Sequence, residues 1–552
     1  MSIDIETYRL KAQEAIEYVF VKEYHNSLGI PMPIVKMLLP DDANYSTGQY
    51  YITIDKTWQI HLNFGKLPIS YHEFQNEVKV LTRHEIEHYM CCPFDVITHF
   101  RMLKRIRDVY YKHFSHLGIN IEYACGAISN QAADIIVDTK NYYRHSKETL
   151  KSEIDWIKIG ANISACPRHC KLMFLTKEAI WKEDLGINET DPEFLKIVHQ
   201  LADSFTKNGI EDKSSFLDKV EEYAEIFFKL YVEDQKNPQQ SSQQGSQQQN
   251  GQQGSQQQSG QWGVGRPKDG DEHGNAFVFA DPDKVKEAIE VLAEETSVEE
   301  FIDLLAIAGI IGMSDKQKGV LWFNVQSANI IPIVEFSNTG NKSSYTYPSV
   351  WRIGDPIEEL DLMLTYMTSP RLIPGMTTKK WGYVSNDDNG TESKQMDLLL
   401  VVDTSGSMGS AMKESANMHQ AVLASYGILS YFESTKSKVA FIGFSDKIDA
   451  YVDWSDKYDD VRERLLTNGH GGTKFPISRI KSTLDVRSRD LVTVLITNGD
   501  LGNINESVSY FRDYLNDDNK LYIFLLGGSK SLHSYEPVSY THLRAHETLA
   551  NL

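Results

Sequence analysis

A long glutamine-rich segment constrains the fold of this chain more than any other feature of its sequence. Between residues 238 and 261, 13 of 24 residues are glutamine, and the others are serine, glycine, asparagine and one proline. Such a segment has no large apolar side chain with which to offset the entropy lost on ordering. We therefore predict a flexible linker over residues 236–275, with independently folding regions before and after it.

The length and charge of the chain limit what those regions can be. With 552 residues the chain exceeds one ordinary domain, so we expect about two to four folded units. The formal net charge of −20 argues against the phosphate backbone of a nucleic acid as the main partner. Metal ions and cationic surfaces are better matched to this charge.

The chain lacks the sequence signals of export and of membrane insertion. It does not begin with a basic region and an apolar run, and its longest apolar stretch, residues 304–313, is about half of the ~20 residues that cross a bilayer. Five cysteines in a chain of this size do not indicate a disulfide framework. We therefore expect a cytoplasmic protein with reduced thiols and no membrane span.

The pattern before the linker is mainly helical. One alternating run, residues 59–64, predicts a strand with one buried face. We therefore predict a mainly helical α+β domain over residues 1–235. After the linker, Asp281-Pro282-Asp283 predicts a helix that starts with proline at its first position, and we assign residues 276–395 to a helical connector.

The pattern changes again near Asp397, where short apolar runs begin to alternate with amphipathic stretches. We predict helices around residues 418–434 and 459–466, and strands over residues 398–402, 439–444, 491–496 and 521–526. This alternation is typical of an α/β domain with a parallel sheet. We predict such a Rossmann-like domain over residues 396–537.

Three polar loops of this domain carry oxygen ligands. The first strand is followed at once by Asp403-Thr404-Ser405-Gly406-Ser407, at the strand end where open α/β sheets bind ligands. A second loop contains Thr473, and a third is Thr497-Asn498-Gly499-Asp500. Carboxylate and hydroxyl oxygens suit Mg²⁺, which can leave one position for a carboxylate of a partner. The alternative is that these hydroxyls only cap a helix and that no ion binds.

The three loops resemble the metal-ion-dependent adhesion site of von Willebrand factor A (VWA) domains, over about 140 residues. The resemblance implies a cation, expected to be Mg²⁺, that binds an acidic group of a partner protein. Its ligands would be Asp403, Ser405, Ser407, Thr473 and Asn498. The family usually has aspartate where this chain has Asn498, whose amide oxygen can still bind the ion but supplies no charge; Asp500 could compensate for it.

The N-terminal region carries a second metal-binding pattern, His84-Glu85-Ile86-Glu87-His88. On a helix, the spacing of four residues places both imidazoles on one face, where they can bind the same ion, and Glu85 can deprotonate a water molecule. Phe74, Val78 and Leu81 recur at helical steps and predict that helix. Short patterns of this kind also arise by chance, with side chains that only satisfy one another.

A later helix could supply the third protein ligand that catalytic zinc requires. Asp134 lies 46 residues beyond His88, and Asp138 follows one helical turn later on the same face. Asp134 could complete the ligand set, while Asp138 could accept the free N–H of one imidazole. Asp138 and Asp95 are rival third ligands.

The order of these patterns resembles that of bacterial proteins that join a zincin-type metallopeptidase domain to a VWA-like domain. Zincins with an ExxxD helix use a glutamate where this chain has Asp134. Proteins of this group are often paired with a MoxR-type AAA+ ATPase, so such an ATPase is the implied partner. The resemblance implies a zinc-dependent metallopeptidase whose VWA domain binds proteins. The alternative is a non-catalytic adaptor or chaperone-type protein that binds partners through the Mg²⁺ site.

Residues 538–552 do not continue the pattern of the preceding domain. Residues 538–548, VSYTHLRAHET, resemble a translated reading frame of a transposase adapter used to prepare sequencing libraries. A VWA sheet would add another helix and strand at this point. We therefore expect residues 538–552 to be non-native and the VWA domain over residues 396–537 to be truncated.

Overall fold

The computed structural model divides the chain into two compact units, Met1–Lys318 and Gly319–Leu552. Most of the predicted linker and most of residues 538–552 lie outside the described residues. The described residues are 5–42, 45, 50–54, 58–64, 70–159, 163, 166–236, 282–310, 312–328, 349–350, 360–361, 379–380, 396–487, 491–499, 501, 503, 510–511, 514, 519–526 and 542–544.

The first unit is mainly helical, as predicted. Its α-helices are α1 (Ile5–Glu17), α2 (Tyr71–Met90), α3 (Val96–Val109), α4 (Ile121–Ile159), α5 (Arg168–Trp181), α6 (Pro192–Thr206), α7 (Phe216–Lys236), α8 (Pro282–Glu294) and α9 (Val298–Ile307). Short π or 3-10 segments lie at Tyr18–Glu23, Tyr110–Phe114, Ser115–Leu117 and Lys213–Ser215. None of the helices in the described part of the whole chain is both long and apolar enough to cross a membrane.

A three-stranded sheet packs beside these helices. It consists of β1 (Ile34–Leu38), β2 (Tyr50–Ile54) and β3 (Gln59–Phe64), in the order β1–β3–β2. The predicted strand over residues 59–64 is therefore confirmed and lies at the centre of the sheet. It pairs in parallel with β1 and antiparallel with β2, so the sheet is mixed.

Helix α2 is anchored at its start and along one apolar face. The Ser70 side chain accepts a hydrogen bond from the Glu73 backbone N–H, which satisfies one of the unpaired donors of the first turn. Phe74, Val78 and Ile86 are fully buried in a core shared with α1 and the sheet. This packing fixes the rotation of the helix about its axis, and with it the direction of the side chains on the opposite face.

The two helices that follow the glutamine-rich segment belong to the first unit. Helix α8 begins at Pro282, as predicted, and packs on α3, while α9 packs on α3 and α4. Phe301 of α9 is fully buried, and the Arg107 guanidinium of α3 donates to the Asp303 carboxylate at 2.7 Å. The boundary between the two units therefore lies after Lys318, later in the chain than the linker at which we predicted a division.

The second unit contains a small sheet of three two-residue strands and one larger sheet. Helix α10 (Asp315–Ala328) contributes its residues from Gly319 onward. The remaining elements are β4 (Ser349–Val350), β5 (Leu360–Asp361), β6 (Lys379–Lys380), β7 (Asp397–Asp403), α11 (Asn417–Ser434), β8 (Val439–Phe444), β9 (Ile448–Ser455), α12 (Tyr458–Leu465), α13 (Ile477–Leu484), β10 (Leu491–Thr497), β11 (Lys520–Leu525) and β12 (His542–Arg544), with a 3-10 turn at Gly406–Met408.

The main sheet is mixed, which corrects the prediction of a parallel sheet. Its order is β12–β11–β10–β7–β8–β9, and only β9 runs antiparallel to its neighbour. Residues 445–447 alone connect β8 to β9, and a parallel pair would need a crossover of about a dozen residues. At the other edge, β12 lies within residues 538–552 and pairs in parallel with β11.

The carboxyl ends of neighbouring strands bring the polar loops together. Strand β7 lies between β8 and β10, and all its residues from Leu398 to Asp403 are buried. Such continuous burial is typical of a strand whose sheet is covered on both faces. Asp403 ends β7 and Thr497 ends β10, so both side chains lie at the same edge of the sheet.

Candidate metal centres

Helices α2 and α4 bring two histidines and an aspartate together inside the first unit. His84 Nε2 and His88 Nε2 lie 3.0 Å apart. Asp134 Oδ1 lies 3.5 Å from the first of these nitrogens and 3.3 Å from the second. All three side chains are buried, and this group could hold a metal ion.

The outer nitrogen of each imidazole is held by an oxygen acceptor. His84 Nδ1 donates to Asp138 Oδ1 at 2.6 Å, and His88 Nδ1 donates to the backbone carbonyl of Cys92 at 2.9 Å. Each neutral ring therefore carries its proton on Nδ1 and turns a lone pair on Nε2 towards the centre of the cluster. Three electron-rich atoms then face one another, an arrangement that a cation stabilises.

The second oxygen of Asp134 is also oriented. Asn130, one helical turn earlier on α4, donates from Nδ2 to Asp134 Oδ2 at 3.1 Å. This bond occupies the outer oxygen and leaves Oδ1 directed towards the two imidazoles. The carboxylate is thus arranged to bind an ion through one oxygen.

The electrostatics of the cluster favour a positive charge. Burial alone would lower the pKa of His84, but the carboxylates of Asp138, Asp134 and Glu85 outweigh it and raise that pKa to about 9. For Asp134 burial acts in the opposite direction and would raise the pKa, but the imidazoles of His88 and His84 hold that pKa below its ordinary value. The carboxylates of Asp134 and Asp138, whose pKa values are both lowered, therefore stay ionised and favour a cation beside them.

The structure separates the candidates for the third ligand. Asp134 faces both imidazoles, whereas the two oxygens of Asp138 are used by His84 Nδ1 and Lys177 Nζ. Asp95 instead caps α3, where its carboxylate accepts from the Thr98 backbone N–H at 2.7 Å. Glu85 is buried beside His84.

A second cluster lies at the edge of the main sheet in the other unit. Asp403 is fully buried, and its carboxylate accepts from Ser405 N–H at 2.9 Å and from Thr497 Oγ1 at 2.7 Å. The hydroxyls of Ser405 and Ser407 lie 3.1 Å apart, and Asn498 Nδ2 donates to Ser407 Oγ at 2.8 Å. The structure thus groups four of the five predicted Mg²⁺ ligands in one hydrogen-bonded network.

The loop that carries the fifth predicted ligand lies beside this network. Gly406 N–H donates to the Gly471 carbonyl oxygen at 3.3 Å, two residues before Thr473. A Cβ at Gly406 would lie 3.6 Å from that carbonyl oxygen, an ordinary van der Waals contact, so the space between the two loops does not itself require glycine. Thr473 is partly buried, and its role as a ligand stays a prediction. Asp500, the predicted source of compensating charge, lies outside the described residues.

Several residues of these clusters were not assigned from the sequence. Asn130 had a local signal, since it lies four residues before Asp134 on a predicted helix. Thr497 had a similar signal at the end of a predicted strand. Lys177 and the Cys92 carbonyl had none, because their contacts depend on how α5 packs and where the chain turns after α2.

Comparison with known proteins does not place the chain in a family. No protein-family model matches its sequence, and no curated protein matches it. The interpretation of the two clusters therefore depends on their own chemistry.

Proposed function

We propose that the first unit is a zinc-dependent peptidase and that the second unit holds a divalent cation with which it binds a partner protein. The convergence of His84 Nε2, His88 Nε2 and Asp134 Oδ1, at separations of 3.0, 3.5 and 3.3 Å, supports the first part. Zinc bonds of ~2.0–2.1 Å in a tetrahedron place neighbouring ligand atoms about 3.3 Å apart. Three protein ligands leave the fourth position for water or substrate.

Glu85 supplies the proton transfer that peptide hydrolysis requires. A bound zinc ion would polarise a peptide carbonyl and lower the pKa of a water molecule towards ~7. The Glu85 carboxylate would accept a proton from the attacking water and return it to the leaving amine. Two histidines and one carboxylate also suit iron(II), but the buried Glu85 beside His84 favours hydrolysis.

Metal analysis of the purified full-length protein tests the zinc centre. We expect about one equivalent of zinc in the wild type and a loss of most of it in His88→Ala, because that variant keeps only two of the three ligands. Inductively coupled plasma mass spectrometry gives the zinc content, and circular dichroism shows whether the variant is folded.

Asp95→Asn is the matched control for this measurement. Asparagine can cap α3 as aspartate does, so this variant is expected to retain wild-type zinc. A wild-type protein that binds iron in preference to zinc, or a folded His88→Ala variant with full zinc content, would contradict the proposal.

The network around Asp403 supports the cation-binding role of the second unit. Asp403 provides a buried carboxylate, and Ser405 and Ser407 provide hydroxyl oxygens at the carboxyl edge of the sheet. These are hard oxygen ligands of the kind that Mg²⁺ binds. The ion would bind an acidic group of a partner protein, and a MoxR-type AAA+ ATPase is the partner that the resemblance implies.

Replacing Asp403 by alanine is expected to weaken Mg²⁺ binding by at least about tenfold, because it removes the carboxylate from the ligand set. Calorimetric titration of Mg²⁺ into zinc-loaded full-length protein measures this site separately from the first. Asp453→Asn, an exposed position on β9, serves as the control and should titrate as the wild type does. Equal Mg²⁺ affinity in Asp403→Ala and the wild type would exclude this site.

A further inference from the structure

A lysine from a third helix is buried behind the histidine cluster. The Lys177 side chain on α5 is 2% exposed, and its Nζ donates to Asp138 Oδ2 at 2.9 Å and to Glu153. Burying an ammonium group is costly unless the group is paired and hydrogen-bonded. The two carboxylates meet this need and raise the pKa of Lys177 despite its burial, so the side chain is held as a cation.

The backbone of α4 bends to place both carboxylates on this lysine. Asp138 and Glu153 are 15 residues apart on α4 and would be separated by roughly 22 Å along a straight helix. His145, between them, has φ −135° and ψ 49°, outside the helical region. Lys177 therefore links the two arms of a bent helix.

The two oxygens of Asp138 have different donors. Oδ1 accepts from His84 Nδ1, and Oδ2 accepts from Lys177 Nζ. With both oxygens engaged, the carboxylate cannot rotate without breaking a charge-assisted hydrogen bond. A continuous path of contacts thus runs from Lys177 through Asp138 to His84.

We propose that Lys177 is a positioning residue that acts through Asp138 to fix the orientation and the metal-binding tautomer of His84. This inference rests on the proposed metal centre. Asp134, Asp138, Glu153 and Glu85 bring four buried or partly buried carboxylates to this region, and Lys177 contacts two of them. Without Lys177, Asp138 Oδ2 would lose its donor, and the carboxylate would be free to rotate away from His84 Nδ1.

The test compares Lys177→Met with Glu153→Gln in the full-length protein. Both substitutions disrupt the buried Lys177–Glu153 pair, but only the first removes the donor of Asp138. Zinc affinity is measured by competition with a chromophoric chelator. We expect Lys177→Met to weaken zinc binding by about 10–100-fold and Glu153→Gln to leave it within about threefold of the wild type.

The visible spectrum of the Co²⁺-substituted proteins provides a readout that a loss of stability alone would not move. The d–d bands report the number and arrangement of the ligands, so they should change in Lys177→Met and match the wild type in Glu153→Gln. If Lys177→Met does not fold, Lys177→Gln, which keeps a neutral donor, is measured in the same way. Lys177→Arg, which keeps the charge, should recover part of the zinc affinity.

The outcomes separate this inference from the proposed function. Wild-type zinc affinity and an unchanged Co²⁺ spectrum in a folded Lys177 variant would overturn the positioning role and leave the metal centre intact. Equal losses of affinity in Lys177→Met and Glu153→Gln would also overturn it, since they would show a structural role only. A wild-type protein that binds neither zinc nor Co²⁺ would instead contradict the metal centre itself.

Discussion

Replacing Glu85 by glutamine is expected to reduce peptide cleavage by about 10²–10⁴-fold while the protein keeps its zinc. Glutamine has nearly the same shape as glutamate but cannot accept a proton from water at neutral pH. The Glu85 side chain is not among the three proposed metal ligands, so metal binding should persist in the variant. Cleavage is measured by mass spectrometry on a mixed peptide library, with zinc content determined on the same samples.

Glu87→Gln is the matched control, since it makes the same substitution in the same five-residue pattern. Glu87 is fully buried, and its carboxylate accepts from Tyr24 and pairs with Lys140 and Arg144. We expect this variant to lose stability and to retain cleavage per folded molecule. Zinc-loaded wild-type protein that cleaves no peptide, or undiminished cleavage by Glu85→Gln, would contradict the peptidase and favour the non-catalytic adaptor.

Replacing Phe74 by alanine is expected to reduce the free energy of unfolding of the first unit by about 3–5 kcal/mol, the usual cost of deleting a buried aromatic ring. The Phe74 ring is fully buried. Its centroid lies 5.0 Å from the centroid of the Tyr8 ring on α1 and 6.0 Å from that of the Phe64 ring on β3. A loss of this size is a large part of the ~5–15 kcal/mol that stabilises a typical domain. Hydrogen–deuterium exchange of peptides covering α2, measured against urea, gives the change for this unit.

Leu10→Ala provides the comparison, because the Leu10 side chain on α1 is 49% exposed. An exposed substitution of this kind should change the free energy by no more than about 0.5 kcal/mol. A loss below about 1 kcal/mol in Phe74→Ala would show that the ring does not hold α2 against α1 and the sheet.

Much of the local structure was predictable because its signals are local. The strands β7, β8, β10 and β11 appear in the sequence as continuous apolar runs, and all four lie within the main sheet. The start of α8 at Pro282 and the strand over residues 59–64 were also predicted. Each of these features depends on backbone hydrogen bonding and side-chain periodicity over a few residues.

The predictions were wrong or stayed open where one segment had to be placed against another. We expected a parallel sheet, but the sheet is mixed because the edge strand β9 follows β8 after a short connection and therefore pairs with it antiparallel. Helices α8 and α9 pack on the first unit although they follow the glutamine-rich segment. The hydrophobic periodicity of these segments predicts neither the antiparallel pairing of β9 nor the packing of α8 and α9 on the first unit.

The sequence by itself determined the chemistry that is available at the histidine cluster. Two histidines four residues apart must share a helix face, and the same rule places Asp138 one turn after Asp134. Only the tertiary structure decided that Asp134, and not Asp95, faces the imidazoles, and that Lys177 supports Asp138. Helical spacing is set by hydrogen bonds within one segment, whereas contacts between helices depend on which apolar faces the whole unit buries together.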